Sequence, residues 1–261
     1  MVIKTLLNTL ILLFITLTSQ LTTAKESTLS NQIKYESGTI QNMLIELYTS
    51  EGCSSCPPAE RYLNSLKNDK KLWKQWFPIA LHVDYWDYIG WKDEFATKKH
   101  GQRQSKYASL LRATTVYTPA FMVNGSSWRK GLFNNSLPND TGIAGKLAVN
   151  INNKKLHATY NTKKKPSPLK LNVVVLAMNI VSTIERGENA GRTAEHEFVV
   201  VGFSSVVSHQ STENNEINWQ TSLPKLHYKK AKKYAVVVWV SETNNPSPLQ
   251  VVGGKMPGYK P

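Results

Sequence analysis

Both cysteines of this 261-residue chain lie in one short motif, Cys53-Ser54-Ser55-Cys56, and this placement limits the class of fold. Two cysteines cannot cross-link a chain of this length, so a small disulfide-framework domain is excluded. The chain is 41% hydrophobic and 19% charged, which supplies enough apolar side chains for a core and excludes a disordered polypeptide. We therefore expect the cysteine pair to carry local chemistry rather than to hold the fold together.

The first 24 residues predict a secretory signal peptide. A single charged residue, Lys4, precedes an apolar stretch over residues 6–17, and small polar residues lead to Ala24. The apolar stretch is shorter than the roughly 20 residues that cross a bilayer, so we expect cleavage after Ala24 and no stable membrane insertion afterwards. The predicted localisation is exported, either periplasmic or secreted. In such an oxidising compartment a lone cysteine pair is either a disulfide or a redox centre.

The cysteine motif lies between a predicted strand and a predicted helix. Residues 43–48 form a short apolar run, whereas residues 59–76 carry apolar side chains at roughly helical spacing behind Pro57 and Pro58. Further along, the sequence predicts a strand over 77–83, a helix over 94–112, and a strand over 120–123 that ends in the hairpin signal Asn124-Gly125. This order of elements predicts an α/β layer fold for residues 25–145.

Residues 146–261 predict a β-rich accessory domain in sheet or sandwich form. Three valine-rich segments, 169–181, 197–206 and 233–240, are separated by turn-forming residues. The lysine clusters at 163–165, 229–230 and 232–233 are interpreted as a linker and exposed strand edges. The net charge of +14 permits an anionic partner, but these lysines lack the interleaved aromatic residues of single-strand binders. We therefore expect no nucleic acid partner.

The cysteine spacing favours thiol-disulfide exchange. The thiolate is the attacking species, and the positive end of a helix stabilises a thiolate placed there. Cys53, at the predicted exposed edge, is the expected nucleophile, and Cys56, one turn further on, is expected to resolve the mixed disulfide. The hydroxyl groups of Ser54 and Ser55 are candidate donors to the Cys53 sulfur.

Three other interpretations of the cysteines remain open at this point. A structural disulfide closing so short a loop stabilises a fold by only about 2 kcal/mol. A zinc site would need two further ligands, so two of the six histidines would have to converge on the cysteines: His82, His100, His157, His196, His209 and His227. Cu(I) accepts two thiolates and one imidazole, so Cys53, Cys56 and His82 form an alternative copper-binding or copper-delivery set. A further alternative is that the chain is a non-catalytic interaction protein whose basic β region binds an acidic partner.

Two segments resemble the thioredoxin superfamily. Residues 44–58 place the cysteine pair at the head of a helix, and residues 116–125 are similar to the segment that carries a cis-proline in thioredoxins and periplasmic disulfide oxidoreductases. The resemblance implies a thioredoxin-like fold, a cis Pro119, and Thr118 offering its backbone to a bound peptide. It also implies an exported oxidoreductase that acts on protein thiols, disulfides or a redox partner protein, with no cofactor beyond the Cys53–Cys56 disulfide.

A narrower resemblance links three segments, 46–59, 82–93 and 186–191, to an uncharacterised bacterial family of secreted thioredoxin-like proteins, a domain of unknown function. The aromatic loop in the second of these segments follows a predicted strand end, where open α/β sheets bind ligands. Trp86 and Trp91 are candidates for an apolar wall against a substrate, and Asp84 or Asp87 for proton relay to Cys56. The alternative is a structural loop in which Asp84 caps the next segment.

Overall fold

The computed structural model describes residues 32–129, 137, 142–162, 168–208 and 215–261. The predicted signal peptide, the lysine cluster at 163–165 and His209 lie outside the described residues. Within those ranges, Gln32–Pro261 form one compact unit. None of the helices described there is long and apolar enough to span a membrane.

The described residues form fourteen strands and two α-helices, together with short 3-10 turns at Leu66–Asn68 and Asp87–Ile89. The helices are α1 (Pro57–Ser65) and α2 (Lys98–Leu110). The first seven strands are β1 (Ile33–Glu36), β2 (Met43–Thr49), β3 (Trp76–His82), β4 (Ala120–Val123), β5 (Ser126–Trp128), β6 (Lys146–Asn152) and β7 (Lys155–Asn161). The others are β8 (Leu169–Met178), β9 (Ile180–Thr183), β10 (Thr193–His196), β11 (Val199–Val207), β12 (Glu216–Ser222), β13 (Lys233–Glu242) and β14 (Pro248–Lys255).

The predicted fold class, an α/β thioredoxin-like fold with a C-terminal β-rich region, is wrong for this chain. The molecule is mostly β, and its largest sheet has eight strands in the order β14-β13-β8-β11-β3-β2-β4-β5. This sheet is mixed: β3 is parallel to both β2 and β11, whereas the other neighbours are antiparallel. The sheet takes strands from both sides of the predicted boundary at residues 145 and 146.

The valine-rich strands explain why a single large sheet forms. In β8 the side chains of Val173 and Val175 enter one apolar cluster, while those of Val174 and Leu176 enter another on the opposite side. A strand that is apolar on both faces must be covered on both. These strands therefore lie in the middle of the molecule, where β11 pairs with β3 through Val199 and Ala80.

A second, four-stranded antiparallel sheet, β1-β6-β7-β12, supplies part of that cover. Its strands alternate buried and exposed residues, as in β7, where Leu156, Ala158 and Tyr160 point into the apolar cluster that also contains Val173. Strands β9 and β10 form a separate antiparallel pair. This pair carries His196 at its end and becomes part of the candidate site.

Several local predictions are confirmed, because they depend on short-range sequence signals. The strand over 43–48 is observed as β2, and the Asn124-Gly125 turn joins β4 to β5. The Thr118–Pro119 peptide bond is cis, as the resemblance implied. The helix predicted over 59–76 is shorter: α1 ends at Ser65, and Trp76 already belongs to β3.

Candidate functional site

The two cysteines form a disulfide at the start of α1, with Cα atoms 5.4 Å apart. Strand β2 delivers the chain to this point, and Cys56 is the residue that caps α1, its carbonyl accepting from the Ala59 N–H at 2.9 Å. Cys53 was predicted at an exposed edge, yet it is 1% exposed and Cys56 is fully buried. The Ser55 hydroxyl lies 3.4 Å from the Cys53 sulfur, whereas Ser54 points its backbone N–H at Glu188.

A groove of about 620 Å³ runs beside the cysteine loop and past Pro119. Its lining includes Ser55, Pro58, Tyr62, Tyr117, Pro119 and Trp128. The rings of Tyr62 and Trp128 are stacked with their centres 5.5 Å apart, and Tyr117 is 43% exposed. The groove therefore has an aromatic wall next to Ser55, the residue whose hydroxyl lies near the Cys53 sulfur.

The tryptophans predicted to form a substrate wall occupy supporting positions instead. The Trp86 indole N–H donates to the Thr118 hydroxyl at 2.6 Å, and a Cβ atom at Gly52 would lie 3.2 Å from the Trp86 Cβ. Trp86 thus connects the cysteine loop to the cis-proline segment. The Trp91 indole N–H donates to the Glu51 carboxylate at 2.7 Å. Neither tryptophan lines the groove beside Pro119.

The two candidate proton-relay residues lie away from the disulfide. Asp84 lines a different cavity, of about 690 Å³, along α2. The Asp87 carboxylate accepts from the Asp93 backbone N–H at 3.3 Å, and partial burial raises its pKa. Among the described residues, neither carboxylate is hydrogen-bonded to Cys53 or Cys56.

A segment around Asn189 holds the cysteine loop in place. The buried Asn189 amide donates to the Glu51 carbonyl at 2.8 Å and to the Cys53 carbonyl at 3.0 Å. Sequence comparison placed residues 186–191 only in a family resemblance and gave them no role. Because the sulfurs are buried, a reagent reaches them only when neighbouring segments move, and these hydrogen bonds oppose such movement.

We expect Asn189→Ala to make the disulfide react about 10 to 100 times faster with a small phosphine reductant. The substitution removes the hydrogen bond to the Glu51 carbonyl and one of the two to the Cys53 carbonyl, which still accepts from the Cys56 backbone N–H at 3.1 Å. Each lost hydrogen bond is worth about 1 to 1.5 kcal/mol, or roughly tenfold in the population of the opened form. Thiol release over time measures the rate. Asn218→Ala, at an exposed position on β12, is the control and should react like the wild type. Equal rates for all three proteins would contradict the role assigned to Asn189.

A buried cluster of two histidines and three carboxylates lies at the same end of β2 and β3. His82 Nδ1 is 2.7 Å from the Asp93 carboxylate. His196 Nε2 is 3.1 Å from the Glu51 carboxylate, and its Nδ1 is 3.4 Å from Glu60. The imidazole centres of the two histidines are 5.3 Å apart. The chain thus brings together groups from β3, β10, α1 and two loops.

The electrostatics of this cluster follow from its carboxylates. Burial alone would lower the pKa of His196, but hydrogen bonds and charges from Glu51 and Glu60 raise it to about 10. Burial also opposes a charged His82, yet the neighbouring Asp93 raises its pKa overall. In return, His82 lowers the pKa of Asp93 against the effect of burial. The three carboxylates therefore concentrate negative charge in the cluster, and this charge favours the protonated form of both histidines.

Sequence reasoning identified His82 as a candidate copper ligand and named His196 only as one of six histidines that could complete a zinc site. It missed Glu51, Glu60 and Asp93. Glu60 follows Cys56 by one helical turn, a spacing that signals a shared helix face. His196 lies more than a hundred residues from the others, so no local pattern links it to them. The structure groups His82 with Glu60 and His196, and the two cysteine sulfurs are bonded to each other rather than grouped with His82.

Comparison with known proteins gives a family but no activity. The family described as "Protein of unknown function (DUF1223)" matches residues 44–241. No curated protein matches the chain. A crystal structure of a protein from Agrobacterium tumefaciens is similar at 18% identity and a TM-score of 0.57, over 86% of this chain and 98% of that one. HBP35 of Porphyromonas gingivalis is similar at 15% identity and a TM-score of 0.56, over 86% of this chain and 78% of that one. At such identities the likeness shows a shared fold alone.

Proposed function

We propose that this chain, which belongs to the DUF1223 family of proteins of unknown function, is an exported thiol-disulfide oxidoreductase that cycles Cys53 and Cys56. The observation that carries the proposal is the position of the pair: it heads helix α1 and adjoins a groove that contains cis Pro119. A helix start lowers the pKa of a thiol placed there, which favours the reactive thiolate. The local likeness of residues 44–58 and 116–125 to redox-active segments adds support for exchange chemistry.

The reaction is a two-electron exchange. In the reduced chain, the Cys53 thiolate attacks one sulfur of a substrate disulfide, a Cys53–substrate bond forms, and the other substrate sulfur leaves as a thiolate that takes up a proton. Cys56, deprotonated, then attacks the Cys53 sulfur, which restores the Cys53–Cys56 bond and releases the second substrate thiol. The substrate is reduced and the chain oxidised. An external dithiol returns the chain to the reduced state by the reverse exchange.

The surroundings of the pair suit a peptide substrate. Ser55 is exposed and its hydroxyl can donate to the Cys53 sulfur at the observed 3.4 Å. The rings of Tyr62, Tyr117 and Trp128 give an extended peptide an apolar surface beside Pro119. The leader sequence supports an exported location, an oxidising environment in which disulfides form and persist. The proposal needs the cysteine loop to open, since both sulfurs are buried.

The test is catalysed reduction of an unrelated protein disulfide, such as those of insulin, by dithiothreitol. We expect the wild-type chain to accelerate the reduction over the rate with dithiothreitol alone. The chain with both Cys53→Ser and Cys56→Ser is the matched control, because it keeps every other feature of the groove. A wild-type rate no higher than that of this double variant would overturn the proposal.

A further inference from the structure

We propose that Glu60, His82 and His196 form a binding site for a divalent transition-metal ion of the zinc class, separate from the cysteine pair. The ligand atoms of these three residues all lie within 4.8 Å of one another. Two imidazole nitrogens and one carboxylate are a ligand set that binds zinc and related ions while leaving coordination positions open. Neither sulfur takes part.

An unpartnered nitrogen of His82 is the observation that points to a ligand. The His82 ring is 1% exposed, and its Nδ1 donates to the Asp93 carboxylate at 2.7 Å. In the neutral ring the lone pair is then on Nε2, which has no hydrogen-bond partner among the described residues. A buried polar nitrogen without a partner is costly. A metal ion at the centre of the three residues would supply that partner.

The neighbours of the three residues orient them for an ion. His196 directs Nε2 towards the Glu51 carboxylate at 3.1 Å, which leaves Nδ1 on the side of Glu60. His196 Nε2 also lies 3.0 Å from the Ser182 hydroxyl, so this side of the ring is fixed by two partners. In both rings, one nitrogen is thus held by a carboxylate outside the three proposed ligands, which is how metal-binding histidines are usually oriented. Glu60 is likewise held, because one of its oxygens accepts from the Thr49 hydroxyl at 2.5 Å. The other oxygen faces His196 Nδ1 at 3.4 Å, and an ion bound between these two atoms would replace their direct contact.

The surrounding carboxylates are themselves fixed. Asp93 accepts from the backbone N–H groups of Glu51 and Phe95, both at 2.9 Å. Glu51 accepts from Trp91 at 2.7 Å. Among the described residues, histidines are the only ion-pair partners of these carboxylates: Asp93 pairs with His82, and Glu51 and Glu60 pair with His196. None of the three pairs with a lysine or an arginine there. Three carboxylates with neutral histidines would carry three negative charges, which favours a divalent cation.

The ion also has a way in. A cavity of about 700 Å³ is lined by Glu51, Glu60 and His196, together with Asn64, Asn189 and Arg192. Two of the three proposed ligands thus line a space large enough for an ion with bound water or a small ligand. The open coordination positions of the ion would lie on this side.

The test is Zn²⁺ binding by tag-free, chelator-treated protein in its disulfide form, measured by calorimetry. We expect one Zn²⁺ per chain. Glu60→Gln keeps the size of the side chain and its hydrogen bond from Thr49 but removes the charged ligand oxygen. Loss of a residue that only orients a ligating histidine weakens metal binding roughly 10- to 100-fold, and we expect loss of the ligand Glu60 to weaken it by more. His82→Ala should do the same. His157→Ala, at an exposed position on β7, is the control and should bind like the wild type.

A positioning role is tested at Asp93. Asp93→Asn should weaken Zn²⁺ binding about 10- to 100-fold and change the visible absorption of bound Co²⁺, because it reorients the His82 ring. The double variant with Cys53→Ser and Cys56→Ser should bind Zn²⁺ with wild-type affinity. Since that variant cannot exchange disulfides, failure of this site and failure of the proposed activity are distinguishable.

Three outcomes would overturn the site. The first is the absence of stoichiometric Zn²⁺ binding to the wild type. The second is wild-type affinity in both Glu60→Gln and His82→Ala. The third is binding that disappears with the cysteines, which would instead favour a site built on Cys53 and Cys56. Circular dichroism of each variant shows that a loss of binding is not a loss of fold.

Discussion

If the proposed exchange takes place, Cys56→Ser should turn the chain into a covalent trap for its substrates. After Cys53 has attacked a substrate disulfide, the serine hydroxyl cannot complete the exchange. The neighbouring thiol of the wild type acts intramolecularly, and well-placed groups of this kind reach effective concentrations of about 10⁵ M, against millimolar thiol in solution. We therefore expect turnover to fall by about 10³-fold or more, while the Cys53–substrate adduct accumulates.

The adduct is measured by non-reducing electrophoresis and mass spectrometry after mixing the reduced variant with a protein disulfide. Cys53→Ser is the matched control: it loses the attacking thiol and should form no adduct. An adduct in Cys53→Ser but not in Cys56→Ser would reverse the roles of the two residues. The absence of an adduct in both variants would contradict exchange chemistry at this pair.

The local features of this site could be predicted because short stretches of sequence encode them. An apolar run, two closely spaced cysteines and a pair of prolines predict strand β2, the disulfide loop and the start of α1. Asn124-Gly125 predicts the β4–β5 turn, because both residues adopt positive φ there. The cis conformation of Pro119 was predicted from the resemblance alone, since the residues around it do not specify a cis bond.

The arrangement of the sheet could not be predicted in the same way. Strands β8, β11 and β13 are all rich in valine, so composition does not indicate which of them pairs with β3. The sequence of each half, taken by itself, predicts an α/β domain followed by a β-rich domain. Parallel pairing between β11 and β3 instead joins the two halves in one sheet. The choice of partner is a property of long-range packing and loop closure.

The buried cluster escaped prediction for a related reason. His82 and Asp93 lie eleven positions apart, and Glu51 and His196 are separated by 145 positions. A histidine on an apolar strand is more often a hydrogen-bonded core residue than a ligand. Only the fold shows that β10 returns His196 to the end of β3. Sequence reasoning therefore assigned His82 to the cysteines and could not distinguish His196 from the other histidines.

A buried ion pair that sequence reasoning did not identify carries the largest expected stability effect. The Arg103 guanidinium makes two hydrogen bonds to Glu46, at 2.7 and 2.9 Å, and a third to the Pro246 carbonyl at 3.0 Å. Glu46 is fully buried on β2, and also accepts from Tyr48 and Tyr107. Burial alone would lower the pKa of Arg103, but the charge of Glu46 raises it overall.

We expect Arg103→Met to lower the free energy of unfolding by about 3 to 5 kcal/mol, because it leaves the Glu46 carboxylate buried without its cation. Urea unfolding followed by fluorescence measures the change. Adding Glu46→Gln should restore part of the loss, since an amide needs no counter-charge and its single oxygen still accepts from one of the two tyrosines, which donate to different oxygens of Glu46. Lys146→Met, which removes the exposed pair with Glu36, is the control and should cost less than about 1 kcal/mol. A single Arg103→Met as stable as this control, or a double variant no more stable than Arg103→Met, would show that the ion pair does not anchor α2 to the sheet.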